Sequence, residues 1–236
     1  MYKIENRVRY SECGRDNKLK ISAIINYFQD CTTENSEQLG VGFDYLKEKK
    51  RAWILNSWQV FIRRCPEVGE KIEVFTWATG FKGVFGPRDF VLKTADGEEL
   101  ALAHSLWVYV DTQTGRPVKP EEAEKEVYGV EEPLPIENVS RKIQLPNDMQ
   151  PVDTFWAHKY HIDTNNHVNN AKYIELACEA LPEDFCVTGL RVEYKKAAVY
   201  GDKMVLKSGK KDNNIFTALY DTEDTIYAII EFIGEN

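Results

Sequence analysis

No stretch of this sequence comes near the roughly 20 uninterrupted apolar residues that a bilayer-crossing helix needs, so no membrane partner is expected. No apolar leader is expected either. The N-terminal "MYKIENRVRY" puts charges where a secretory signal keeps its apolar stretch, and the cytoplasm is the expected compartment. The five cysteines (Cys13, Cys31, Cys65, Cys178, Cys186) stand singly, without C-x-x-C spacing, so reduced thiols are expected rather than a zinc site or a disulfide framework. Positive charge is in deficit: 30 Lys and Arg against 38 Asp and Glu leave a net charge of −8, which argues against a nucleic-acid partner. There is no G-x-S-x-G elbow, phosphate loop or dinucleotide fingerprint, so serine hydrolase, NTPase and dehydrogenase readings lack support and no cofactor is expected.

What the sequence does have is a repeat. "DNKLKISAIINYFQD" (16–30) lies on "NNHVNNAKYIELACE" (165–179), each a polar turn running into a helical pattern. Ile21, Ile24, Ile25 and Phe28 fall at i, i+3, i+4, i+7, and Ile174, Ala177, Cys178 and Leu181 repeat that spacing before Pro182 ends it. "WQVFIRRCPEVGEKIEV" (58–74) then matches "LRVEYKKAAVYGDKMVL" (190–206) without a gap, as strand, turn and strand. The two alignments differ in offset by 17 residues, which the first half spends within "TTENSEQLGVGFDYLKEK". Alternating segments follow, with a D-G hairpin signal at 96–97 and an acidic turn before "TIYAIIEFI". Each half thus predicts one helix over a curled antiparallel sheet, an α+β plan repeated twice. A proline- and acid-rich connector, roughly 112–155 with a short helix at 120–127, separates them. The domain division is 1–130, a linker at 131–152, and 153–236.

Two histidines, an aspartate and four asparagines crowd into "HIDTNNHVNN" (161–170). If the chain stays extended through 167, Asp163, Asn165 and His167, spaced by two, point to one side. Asn169 or Asn170 then caps the second helix, whose first-turn N–H groups suit a developing oxyanion. His167, with an ordinary pKa near neutrality, is the candidate general base, Asp163 its orienting carboxylate, and Asn165 the holder of a carbonyl oxygen or water. One positioned base contributes about 10²–10⁴ in rate and one oxyanion donor about 10²–10³, enough for an activated ester such as a thioester. Asp and Asn also serve turns and caps for local reasons, and the density of His158, His161, Asp163 and His167 raises a weaker metal reading. The first half supplies a control: Gly14, Asp16 and Lys18 stand where Asp163, Asn165 and His167 stand in the second.

"DTNNHVNNAKYIE" resembles the D-x-N-x-H-V-N-N-x-K-Y signature of acyl-ACP thioesterases, and the likeness extends to "VRYSECGRDNKLKISAIINYFQDCTTENSEQLGVGFDYL" near the N-terminus. The resemblance implies a tandem hotdog fold, each half a long central helix wrapped by a curved antiparallel sheet. It implies release of free fatty acid from acyl carrier protein, with Asp163, Asn165 and His167 catalytic in the second hotdog and the acyl chain and carrier docking largely on the first. One departure stands out. Where many relatives read Y-R-R-E-C, with a Glu or Cys assigned to water activation or attack, this chain reads "YKKAA", so Ala197 and Ala198 remove both and Glu193, Glu175 and Glu179 become substitutes to consider.

An acidic carrier calls for a basic patch, and Lys47, Lys49, Lys50, Arg51, Arg63, Arg64, Lys195 and Lys196 are candidates. Hotdog sheets often pair, so a second copy of the chain is a candidate partner, although a tandem chain can satisfy that pairing internally. The competing functions are an acyl-CoA thioesterase, a hotdog dehydratase and a non-catalytic acyl-thioester binder.

Overall fold

In a computed structural model the chain forms an α+β protein; residues 1–137 and 139–235 are described, and Asn138, within the expected linker, and Asn236 lie outside the described residues. It divides into two compact units, Met1–Asn56 with Arg63–Asn138, and Ser57–Ile62 with Val139–Asn236.

The first unit contains α1 (Ile21–Gln38), α2 (Phe43–Lys49) and α3 (Glu122–Tyr128) and the strands β1 (Tyr2–Arg7), β3 (Lys71–Ala78), β4 (Phe85–Thr94) and β5 (Glu99–Asp111), together with the start of β2 (Arg51–Ile62). Antiparallel pairing runs β1-β3-β4-β5, with Val74 opposite Ile4 and Leu92, and Phe90 opposite Ala103. The expected apolar face of α1 is buried: Ile24, Ile25 and Phe28 are fully enclosed, and the Phe28 and Phe90 rings lie 5.0 Å apart, centroid to centroid. The 17 extra residues of this half lengthen α1 and build α2, with Gly40 turning the chain at φ 73° where a Cβ would be strained.

The second unit contains β6 (Gln150–Trp156), α4 (Asn170–Ala177), β7 (Cys186–Tyr194), β8 (Lys203–Lys211), β9 (Asn214–Tyr220) and β10 (Ile226–Glu235). Its antiparallel order is β7-β10-β9-β8-β6, and Ser57–Phe61 of β2 pairs with β7. The acidic turn between β9 and β10 is closed by Asp221, whose Oδ1 accepts the N–H of Glu223 and of Thr225, each at 2.8 Å. The helix here is shorter than the pattern predicts. It stops at Ala177, a 3₁₀ turn follows over Cys178–Ala180, and Leu181 is extended because Pro182 disfavours helical geometry in the residue before it.

The connector is sewn down rather than loose. Glu131 N–H bonds Ala78 O at 3.0 Å and Leu134 N–H bonds Asp89 Oδ2 at 2.7 Å in the first unit. In the second, Ile143 N–H donates to Glu193 Oε2 at 3.1 Å, and Ile143 packs with Phe216, Ala218 and Ile229. Those side chains lie on one sheet face by the two-residue alternation of β9 and β10, and that face needs an apolar cover.

The repeat holds bond for bond. Val8 N–H to Glu70 O (3.0 Å) and Gly69 N–H to Val8 O (2.9 Å) in one half correspond to Ala157 N–H to Asp202 O (2.8 Å) and Gly201 N–H to Ala157 O (2.9 Å) in the other.

Candidate functional site

The segment ahead of α4 does not run extended through 167, contrary to the sequence expectation. A 3₁₀ turn spans Lys159–His161, and the chain then reverses over 163–167. Asp163 N–H donates to His167 O at 2.8 Å, Asn166 N–H to Asp163 O at 3.1 Å, and Asn166 takes φ 61°. Asparagine tolerates that left-handed conformation better than most residues, which is why the reversal falls there. Asp163 Oδ1 accepts the N–H of Asn165 (2.8 Å) and of His167 (3.3 Å). The three candidates therefore share one tight turn through a carboxylate bracing two backbone donors, with Asn165 exposed and Asp163 and His167 half-buried.

The first half makes the same turn. Gly14 N–H donates to Lys18 O at 2.8 Å, Asn17 N–H to Gly14 O at 3.1 Å, and Asn17 sits at φ 62°. There the brace comes from two residues further on, Asp16 Oδ1 accepting Lys18 N–H at 3.1 Å, so a turn carboxylate is common to both halves and the second adds the imidazole of His167 and the carboxamide of Asn165.

Helix α4 begins beside the turn. Asn169 caps it, its Oδ1 accepting Ala171 N–H at 2.9 Å, and Asn169 N–H returns to His161 O at 2.9 Å. Position 198 closes the other side: Val168 N–H donates to Ala198 O (2.8 Å), and Ala198 N–H donates to the Tyr173 hydroxyl (2.7 Å). Sequence reasoning missed Tyr173. Burial, eased by that bond and reinforced by the charges of Asp202 and Asp163, lifts its pKa to about 12, so it is a neutral acceptor that fixes the 195–198 segment against the turn. The signal lay in its place next to Ile174 on the helix.

The substitutes for the missing Glu or Cys are occupied elsewhere. Buried Glu193 serves Ile143 N–H and Lys195 Nζ (3.0 Å), and Glu175 pairs with Lys172 at 2.6 Å. Glu179 is exposed. Burial raises the thiols of Cys31 and Cys178 to about 12, which keeps both protonated near neutral pH.

His161 is buried, with Nδ1 accepting His158 N–H at 3.1 Å and Tyr160 packed edge-on to its ring at 4.2 Å. Burial, then the charge of Lys172, pulls its pKa below the ordinary 6.5. The fold keeps the neutral imidazole, so this stabilisation is complete above the unfolded-state pKa and is lost as pH falls through it. Thermal melts between about pH 7 and pH 5 should show wild type losing more stability than His161→Gln, and parallel losses would refute the effect.

Sequence comparison matches the acyl-ACP thioesterase N-terminal domain to residues 1–128 and the acyl-ACP thioesterase C-terminal domain to residues 147–232. The chain belongs to the acyl-ACP thioesterase family. Among curated relatives, it is 29% identical over 225 residues to a palmitoyl-acyl carrier protein thioesterase of Cuphea hookeriana, covering 85% of this chain and 52% of the relative. It is 28% identical over 215 residues to a dodecanoyl-[acyl-carrier-protein] hydrolase of Umbellularia californica, covering 80% and 54%. The chain thus spans about half the length of the curated relatives it matches. In fold it is similar to an acyl-ACP thioesterase from Bacteroides thetaiotaomicron (TM-score 0.88, 23% identity, 99% and 97% of the two chains). A 12:0-ACP thioesterase from Umbellularia californica gives a TM-score of 0.86 at 20% identity, over 99% and 96%.

Proposed function

We propose that this protein is a tandem hotdog thioesterase that hydrolyses fatty acyl groups from acyl carrier protein, with its chemistry in the second half at Asp163, Asn165 and His167. The observation that carries the site is the asymmetry between two copies of one turn: identical backbone bonds, but Gly14, Asp16 and Lys18 in one and Asp163, Asn165 and His167 in the other. Family membership supports the substrate class.

In this reading His167 takes the proton from a water attacking the thioester carbonyl. Asp163, already bound to the His167 backbone, stabilises the imidazolium that forms. Asn165, on the exposed rim of the turn, donates to the carbonyl oxygen, and the N-terminus of α4 adds its partial positive charge as the oxyanion develops. No covalent intermediate is required. Residues 1–130 would hold the acyl chain and the carrier, 131–152 link, and 153–236 supply the catalytic turn.

The deciding experiment is a free-thiol release assay on matched acyl-ACP and acyl-CoA substrates. A higher kcat/KM on the ACP substrate is expected. Equal or better use of CoA would move the function to an acyl-CoA thioesterase, and enoyl product without free acid would make it a dehydratase.

Carrier docking narrows on inspection. Lys49 pairs with Glu121, Arg51 with Asp111, Arg63 with Glu99, Arg64 with Glu70 and Glu98, Lys195 with Glu193, and Lys196 with Asp221. Among the described residues, exposed Lys47 and Lys50 keep no ion pair. Reversing both to glutamate should raise KM for acyl-ACP on the order of tenfold and leave KM for a small acyl thioester unchanged; an equal rise for both substrates would remove this surface from the carrier's path.

A further inference from the structure

Strand β4 carries a cation into the interior of the first unit. Arg88 is 6% exposed, and its two hydrogen bonds, to Asn35 Oδ1 (3.0 Å) and Thr76 Oγ1 (3.1 Å), both leave from Nη1 and both end on neutral oxygens. Among the described residues, Nε and Nη2 make no hydrogen bond, and neither is among the fully buried atoms left without a partner, so this edge of the guanidinium is open to a ligand. The neighbouring carboxylate does not serve it: alternation along the strand sends Asp89 to the opposite face, where it binds His104 and Leu134 N–H.

The groups whose charge reaches Arg88 are the Tyr128 hydroxyl and the Cys31 thiol, and burial holds both in the neutral form. Desolvation accordingly pulls the guanidinium down. A buried cation without a counter-charge is costly to a fold, and removing a partner from a buried ion pair is strongly destabilising for the same reason. On the same face of α1, one turn before Asn35 and Ser36, the Thr32 hydroxyl oxygen is buried without a partner.

The surroundings define what would satisfy it. The free edge of a guanidinium is a planar fork that matches a carboxylate with two parallel bonds. Tyr128 lies under the guanidinium at 5.4 Å, and its ring continues into Phe81 at 6.2 Å and Trp53 at 6.5 Å, all three partly exposed. A Cβ at Gly86 would stand 3.0 Å from the Trp53 ring, so glycine lets that ring lie against the strand. A charged end thus adjoins an apolar aromatic wall.

We propose that the first unit contains a carboxylate site in which Arg88 pairs with the acid group of a fatty-acid-like ligand and the wall of Tyr128, Phe81 and Trp53 receives its alkyl chain. The carboxylate has two sources under the thioesterase reading, on which the choice of ligand rests: the free fatty acid formed as product, or a second acid group at the far end of a dicarboxylic acyl substrate.

Calorimetric titration of the full-length protein with a medium-chain fatty acid and with its methyl ester tests the first source on wild type, without any variant. The acid should bind at least tenfold tighter than the ester. Arg88→Met should erase that preference, and Arg88→Lys should keep part of it. For the second source, the ratio of kcat/KM for an ω-carboxyacyl thioester to that for the plain acyl thioester should fall at least tenfold in Arg88→Met. Either Arg88-dependent preference supports the site and names its source. Equal binding of acid and ester by wild type, together with an unchanged kcat/KM ratio in the variant, overturns it. A protein that prefers the acid but releases no thiol from any carrier would leave this site standing and remove the thioesterase reading instead.

Discussion

Replacing His167 with alanine should lower kcat for acyl thioester hydrolysis by about 10²–10⁴, the usual worth of a positioned general base, with little change in melting temperature. The two halves of that expectation rest on different atoms. The turn is held by the backbone N–H and C=O of residue 167, which alanine retains, so Asp163 Oδ1 keeps its donor at 3.3 Å and Asp163 N–H keeps its acceptor at 2.8 Å. Only the imidazole is lost. Asp163→Asn is the informative companion: its side-chain oxygen can still accept the N–H groups of Asn165 and His167, so the turn should survive while the negative charge beside the imidazole disappears. A fall in kcat for His167→Ala without a comparable fall in stability would assign the imidazole to chemistry. Full activity in that variant, measured by thiol release, would remove the turn from the mechanism altogether.

Phe28→Ala should have the largest effect on stability, about 3–5 kcal/mol. The Phe28 ring is fully enclosed on the inner face of α1, 5.0 Å from the ring of Phe90, which is equally buried on β4. Its removal forfeits the apolar transfer energy and leaves a cavity that a helix fixed to a sheet cannot close. For a chain of this size, a change of that magnitude lowers the melting temperature by on the order of ten degrees. Scanning calorimetry of the variant checks it, and a shift of only a degree or two would mean that the seam between α1 and β4 relaxes far more than close packing allows.

Both predictions turn on features that were readable to different depths. The i, i+3, i+4, i+7 spacing of Ile21, Ile24, Ile25 and Phe28 predicted the inward stripe of α1, in which Ile24, Ile25 and Phe28 are buried and Ile21 half-buried, because a helix face follows from the chain's own period. The repeat was legible for a similar reason: the same polar turn, strand and G-E-K or G-D-K reversal recur, and each is closed by bonds between near neighbours. The catalytic candidates were found as a group, but by way of an extended segment that does not exist. The left-handed residue Asn166 folds that stretch back, and an Asn-rich sequence permits this conformation without demanding it.

The sequence alone determined what depends on neighbours along the chain: the helical stripe of α1, an asparagine cap at 169 or 170, the acidic turn before β10, and the presence of Asp, Asn and His within five residues. Only the tertiary structure decided which side chains those elements meet. It paired six of the eight candidate docking cations with carboxylates, used Glu193 to anchor the connector, and enclosed Arg88 beside neutral oxygens. The physical reason is reach. Periodicity and turn chemistry act over a few residues, whereas an ion pair or a buried charge depends on strand register between segments tens of residues apart, and a shift of one residue would send each of those groups to the opposite face.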